Sequence, residues 1–130
     1  PAAQAEWVQE PADAVDERGV GTLRLPDGKS VPVDRVIVLG RAPRVLEGHD
    51  PDSIYLARIV DPSHEVSSQH ATVSAQGGKA WVTDLDSTNG TEVVDRTGAR
   101  VRIAPNTPHA IESGFSIVLG EVATAFFETY

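Results

Sequence analysis

Three short segments carry the side chains of this chain best suited to holding an anion: Gly40-Arg41, Ser67-Ser68-Gln69-His70, and Asp84-Leu85-Asp86-Ser87-Thr88-Asn89-Gly90-Thr91. A phosphate monoester presents oxygen acceptors and about −1.5 to −2 charges near neutral pH, so its site must supply donors. Arg41 offers a planar fork of charged donors, Ser67, Ser68 and Thr88 offer short hydroxyls, and Asn89 has an amide that both donates and accepts. Gly40 beside Arg41 leaves room for close backbone approach. Each segment also has an ordinary reading. Arg41 alone is a surface charge, the two serines satisfy local backbone groups, and Asn89-Gly90 is the strongest short signal for a two-residue hairpin.

Two other chemistries can be assembled from the same residues. Ser67 and His70, with Asp84 or Asp86, are the ingredients of a hydrolase triad, a remote alternative because the glycine-flanked nucleophile of a G-x-S-x-G elbow is missing. His49, His64, His70 and His109 lie near carboxylates but in no recognised ligand spacing, so no metal and no cofactor is expected.

The elements that must position these groups are short. From Thr22 onward, apolar runs separated by turn residues predict strands over 22–25, 31–33, 36–39, 56–60, 71–75, 79–84, 91–94, 100–103, 109–111, 116–119 and 123–128. Pro26-Asp27-Gly28, Gly77-Gly78, Thr97-Gly98 and Ser113-Gly114 punctuate them with residues that tolerate positive φ. No segment shows a helical period. The reading is an all-β fold, a two-sheet β-sandwich of about eleven short strands. Two connections, 41–55 and 61–70, are longer than hairpins, and long polar loops on a packed sheet are where binding groups sit.

Taken together, the three segments resemble the forkhead-associated (FHA) domain in order and spacing. The resemblance runs from about Thr22 to Tyr130, and its centre is VSSQHATV followed by VTDLDSTNGTEV. It implies a sandwich whose loops after Leu39, Val60 and Asp84 meet at one end and hold a phosphothreonine peptide. In that likeness Arg41 grips the phosphate, Ser67 donates to it, Thr88 reaches the phosphothreonine, and Asn89 holds the bound peptide's main chain. His70 ties the loops together, and Gly40 and Gly90 are backbone-permissive. Ser68 stands where many members carry Arg, Lys or Asn as an additional phosphate contact. Arg44, His49, Arg58 and Ser68 are candidates for reading the residues beyond the phosphothreonine.

The implied function is a phosphothreonine-dependent interaction module, an adaptor in Ser/Thr kinase signalling rather than an enzyme. Its partner is a phosphorylated protein, or a segment of the same polypeptide, with a Ser/Thr protein kinase upstream. The alternative is an FHA-type domain that binds through its sheet surface without phosphate.

Composition agrees with a local anion site. The 130 residues suit one domain with one core. A net charge of −8 argues against non-specific binding to nucleic acid or anionic lipid, since both would be repelled at long range. No run approaches the roughly 18 apolar residues of a bilayer span, so membrane insertion is not expected. The absence of cysteine excludes disulfides and thiol chemistry and fits a cytoplasmic home. The preference for arginine over lysine, with abundant alanine and valine, points to a GC-rich bacterial genome. Residues 1–21, rich in alanine and proline and holding five acids against Arg18, are read as a flexible acidic tail or linker in which Trp7 and Val8 could dock. The domain itself is assigned to 22–130, and a start at Pro1 without methionine suggests a piece of a longer protein.

Overall fold

The computed structural model describes residues 19–130, which form two antiparallel-rich sheets packed face to face. Eleven strands follow in chain order: β1 (Gly21–Arg24), β2 (Ser30–Pro32), β3 (Val36–Gly40), β4 (Ile54–Arg58), β5 (Ala71–Gln76), β6 (Lys79–Asp84), β7 (Thr91–Val94), β8 (Arg100–Arg102), β9 (His109–Ile111), β10 (Ser116–Leu119) and β11 (Ala123–Thr129). One sheet has the order β9-β6-β5-β3-β4, the other β2-β1-β11-β10-β7-β8. The expected all-β sandwich is borne out. The alternation explains its core: Ile37 and Leu39, Val73, Ala80 and Val82 point from one sheet, and Leu23, Ile117, Leu119, Ala125 and Phe127 meet them from the other. Phe127, essentially without exposed surface, contributes on the order of 1.5–3 kcal/mol through its burial.

The pairing of β3 with β4 is parallel, Gly40 lying opposite Arg58, whereas β3–β5 and β5–β6 are antiparallel. Parallel neighbours require a long crossover, here residues 41–53, which include a short 3-10 turn, Pro51–Ser53, capped by the Asp50 carboxylate. This reversal decides where the loops go. β3, β4 and β6 all finish at one end of the sheet, and β5 begins there, with Leu39 and Asp84 both paired to Ala71.

Two expectations are corrected. The strand predicted over 56–60 begins earlier, at Ile54, and Val60 is largely exposed (78%), because the parallel register with β3 sets the strand's ends rather than the apolar run. Gly19, Val20 and Gly21, assigned to the tail, belong to the fold. Gly21 opens β1 opposite Thr129, Val20 donates to the Val33 carbonyl, and a side chain on Gly19 would lie 2.1 Å from that oxygen. A glycine that resembles a linker residue serves close backbone approach. The rest of the flexible tail expected for 1–21, residues 1–18 with Trp7 and Val8, lies outside the described residues.

Candidate phosphate-binding site

The site is built first from backbone. Beyond β3 the ladder continues irregularly: the Arg41 and Ala42 amides donate to the Ser67 and Ser68 carbonyls (3.1 Å each), and His70 N–H donates to Leu39 O (2.8 Å). Gly40 must be glycine for this approach, since a Cβ there would fall 2.0 Å from the Ser68 carbonyl oxygen.

The side chains then converge. Arg41 Nε donates to the Val66 carbonyl at 2.5 Å, which fixes the plane of the guanidinium and leaves its two Nη groups without a partner among the described residues. Ser67 Oγ accepts from the Thr88 amide (3.0 Å), so its own proton is free to be donated outward. Asn89 Nδ2 donates to the Glu65 carbonyl (2.9 Å), joining the loop after β6 to the loop after β4. Thr88, Asn89 and Ser68 are exposed, and Arg41 and Ser67 are half-buried. The structure thus brings Arg41, Ser67, Thr88 and Asn89 into one bonded cluster. Ser68 joins it only through its carbonyl.

His70 is fully buried beneath the cluster. Its Nδ1 accepts from the Ser67 amide (3.0 Å), so Nε2 carries the proton and donates to the Gly90 carbonyl (2.8 Å). Burial pushes its pKa below the ordinary histidine value, while the Gly90 bond and nearby Asp84 oppose that shift. The Gly90 carbonyl also accepts from Gly120 N–H (3.1 Å), which links both sheets through one oxygen. With both ring nitrogens committed to backbone, His70 has none left to act as base for Ser67. Asp84 does not orient His70 either: it accepts from the Ser87 and Thr91 hydroxyls (2.5 and 2.6 Å) and the Ser87 amide (3.1 Å). The Ser-His-Asp ingredients form no triad.

The supporting roles of several residues escaped the reading of the sequence. Asp84, Ser87 and Thr91 shape the loop after β6, and an Asp followed three residues later by Ser is a legible turn signal. Asp61 does the same for the loop after β4, accepting from Ser63 and the Val66 amide, and its pKa lies below the usual carboxylate range chiefly because of the Ser63 hydroxyl. Gln69 holds the Arg44 amide (2.5 Å), and the Arg102 guanidinium packs at Gly90. These long-range pairings have no local signature.

The FHA domain family matches residues 37–120, and the chain belongs to that family. It is similar to chloroplastic zeaxanthin epoxidases, being 40% identical over 81 residues to that of Arabidopsis thaliana (62% of this chain, 12% of that protein). Against that of Nicotiana plumbaginifolia it is 34% identical over 108 residues (81% and 16%). The chain therefore spans only a small part of the length of these curated relatives. Among solved structures, the FhaA FHA domain complexed with a partner's intracellular domain shares 26% identity over 82% of this chain and 98% of that one, with a TM-score of 0.56. An FHA domain studied for phosphothreonine-dependent interactions shares 24% identity over 85% and 97%, also at 0.56. Mycobacterium tuberculosis EmbR in complex with a low-affinity phosphopeptide shares 22% identity over 85% of this chain and 24% of that one, at 0.57.

Proposed function

We propose that the end of the sandwich formed by Arg41, Ser67, Ser68, Thr88 and Asn89 binds a phosphothreonine segment of a partner protein. The observation that carries this reading is the direction of the donors. Arg41 is clamped through Nε with its Nη fork free of partners among the described residues, and Ser67 receives the Thr88 amide so that its hydroxyl proton is left to give. Hydrogen bonds to a charged acceptor are worth about 1.5–3 kcal/mol each, so two or three preorganised donors suffice for specific recognition. Related FHA domains bind phosphopeptides, which supports the same use here. A Ser/Thr kinase would write the mark, and the domain would act as an adaptor in the cytoplasm, not as an enzyme.

The test is calorimetric titration with a degenerate phosphothreonine peptide library and the same library unphosphorylated. Binding to the phosphorylated library alone is expected. Equal binding to both would favour the phosphate-independent, sheet-surface alternative.

A further inference from the structure

Two groups that can react with each other stand side by side in the loop after β6. Asn89 carries a side-chain amide, an electrophilic carbon with ammonia as its leaving group, and Gly90 follows with a backbone nitrogen that no Cβ shields. When that nitrogen gives up its proton and attacks Asn89 Cγ, a carbon–nitrogen bond closes a cyclic imide and the Cγ–Nδ2 bond breaks. Ammonia leaves with the proton. Water then opens the imide at either carbonyl and yields aspartate or isoaspartate, so the balance is asparagine plus water to acid plus ammonia. Asn106, the other asparagine of the chain, is also exposed but precedes Thr107, whose branched side chain crowds its nitrogen.

The fold holds the two reactants apart. Gly90 N–H donates to Ser87 Oγ (3.0 Å), and the Ser87 hydroxyl is itself fixed on the buried Asp84 carboxylate (2.5 Å). Asn89 Nδ2 donates to the Glu65 carbonyl (2.9 Å), which packs against Gly120 beyond β10. Reaction therefore requires a local opening in which both loop bonds are lost. Two such bonds slow a step of this kind by about 5- to 150-fold, and one by about 2- to 12-fold. Water is at hand, because Asn89 is exposed and lines a cleft of about 370 Å³ with Thr88, Arg102 and Glu121.

We propose that Asn89-Gly90 is a deamidation site restrained by these two hydrogen bonds, and that its conversion switches the phosphate-binding end off. The acid formed puts a negative charge beside Thr88 and Ser67, where a dianion is to sit, and removes the amide that joins the two loops. Isoaspartate also adds a methylene to the main chain next to Gly90, whose carbonyl His70 and Gly120 hold in place. The modification site stands on the loop geometry alone. The switch rests on the phosphothreonine reading of the same loops.

Intact mass and peptide maps provide the test, followed over time at one mildly alkaline pH for the folded protein, the same chain in urea, and Ser87→Ala. Exchange of amide for acid is expected at Asn89 and not at Asn106, about 5- to 150-fold slower in the folded protein than in urea. Ser87→Ala should react about 2- to 12-fold faster than folded wild type. Equal rates in the folded and unfolded chains, or a folded Ser87→Ala that reacts no faster, overturns the restraint. A folded chain intact at Asn89 beyond that ratio overturns the site. If Ser87→Ala does not fold, the comparison with urea decides. Aged protein and Asn89→Asp should bind a phosphothreonine peptide at least about tenfold more weakly than fresh protein by fluorescence anisotropy. Undiminished binding by either overturns the switch. Fresh wild type that binds no phosphopeptide would instead overturn the phosphothreonine reading and leave the modification site standing.

Discussion

At one end of the five-stranded sheet, Gly77 and Gly78 close the β5–β6 hairpin with φ of +62° and +76°, and nothing lies within 4 Å of where either side chain would be. At the other end, Asn89-Gly90 leads from β6 into β7, which belongs to the opposite sheet, and only Gly90 has positive φ (+86°). A two-residue hairpin of type I′ needs positive φ at both central residues, so Asn89-Gly90 is not one despite its composition. Gly90 gives its amide to Ser87 Oγ, takes protons from His70 and Gly120, and sits against Arg102. The two glycine links solve the same backbone problem. The first serves only its own strand pair, whereas the second is a junction whose geometry is set by three distant segments and carries the candidate site.

The contrast predicts which changes reach binding and which stop at stability. The largest effect is expected from Arg41→Ala, about 2–5 kcal/mol of phosphopeptide affinity with unchanged melting, because a charged partner of a dianion is removed from a half-buried position. Gly78→Asn at the far hairpin should leave affinity untouched. If Arg41→Ala binds within threefold of wild type, the two ends differ in architecture and not in function.

Next in size is the pair Gly90→Ala and Gly77→Ala. Both force a Cβ into left-handed φ at a cost of about 1–2 kcal/mol, visible as lower denaturant midpoints. Only Gly90→Ala should also weaken phosphopeptide binding, since its Cβ would fall 2.5 Å from the Arg102 guanidinium carbon and disturb the carbonyl that His70 holds. Equal affinity in both variants would mean the junction does not transmit to the donors.

His70 sharpens the contrast through pH. Its folded-state pKa is depressed by burial, so the folded protein keeps it neutral while the unfolded chain takes a proton as pH falls through about 6.5. The stability associated with the neutral ring is complete above that value and declines as pH falls towards the folded pKa. Melting should therefore drop between about pH 7.5 and about pH 5 in wild type, and His70→Gln should show a smaller drop from a lower starting point. Parallel pH profiles in the two proteins would remove His70 as the titrating group.

The smallest effect concerns how closely the Asn89 end is shaped. Phosphothreonine and phosphoserine carry the same charge, so a preference must come from the methyl group, worth about 0.8 kcal/mol when buried, plus its narrower χ1 choice. About fivefold in favour of phosphothreonine is expected in paired calorimetric titrations. No preference would describe a general phosphate-binding surface in place of a methyl-reading one.

Much of this molecule is local, and local information is legible. The alternation in Lys79–Asp84 and Thr91–Val94 and the turn residues between strands identified eleven strands, because a strand's period of two and a turn's need for positive φ are written in neighbouring residues. The likeness of Gly40-Arg41, VSSQHATV and VTDLDSTNGTEV, in that order and spacing, to a known family pointed to Arg41, Ser67, Thr88 and Asn89, which the fold brings together. What the sequence could not show is which strands pair and in which direction. The parallel β3–β4 pair brings the ends of β3 and β4 to one side, the two antiparallel pairings β3–β5 and β5–β6 bring the end of β6 there as well, and only the change of sheet at 85–90 makes Gly90 a junction and not a hairpin turn. Glu65, Gln69, Arg58 and Arg102 gain their places in the same way. Their partners lie far along the chain, and which distant backbone atoms meet is decided by the packing of two sheets over one core, a free energy summed over the whole domain and marked at no single residue.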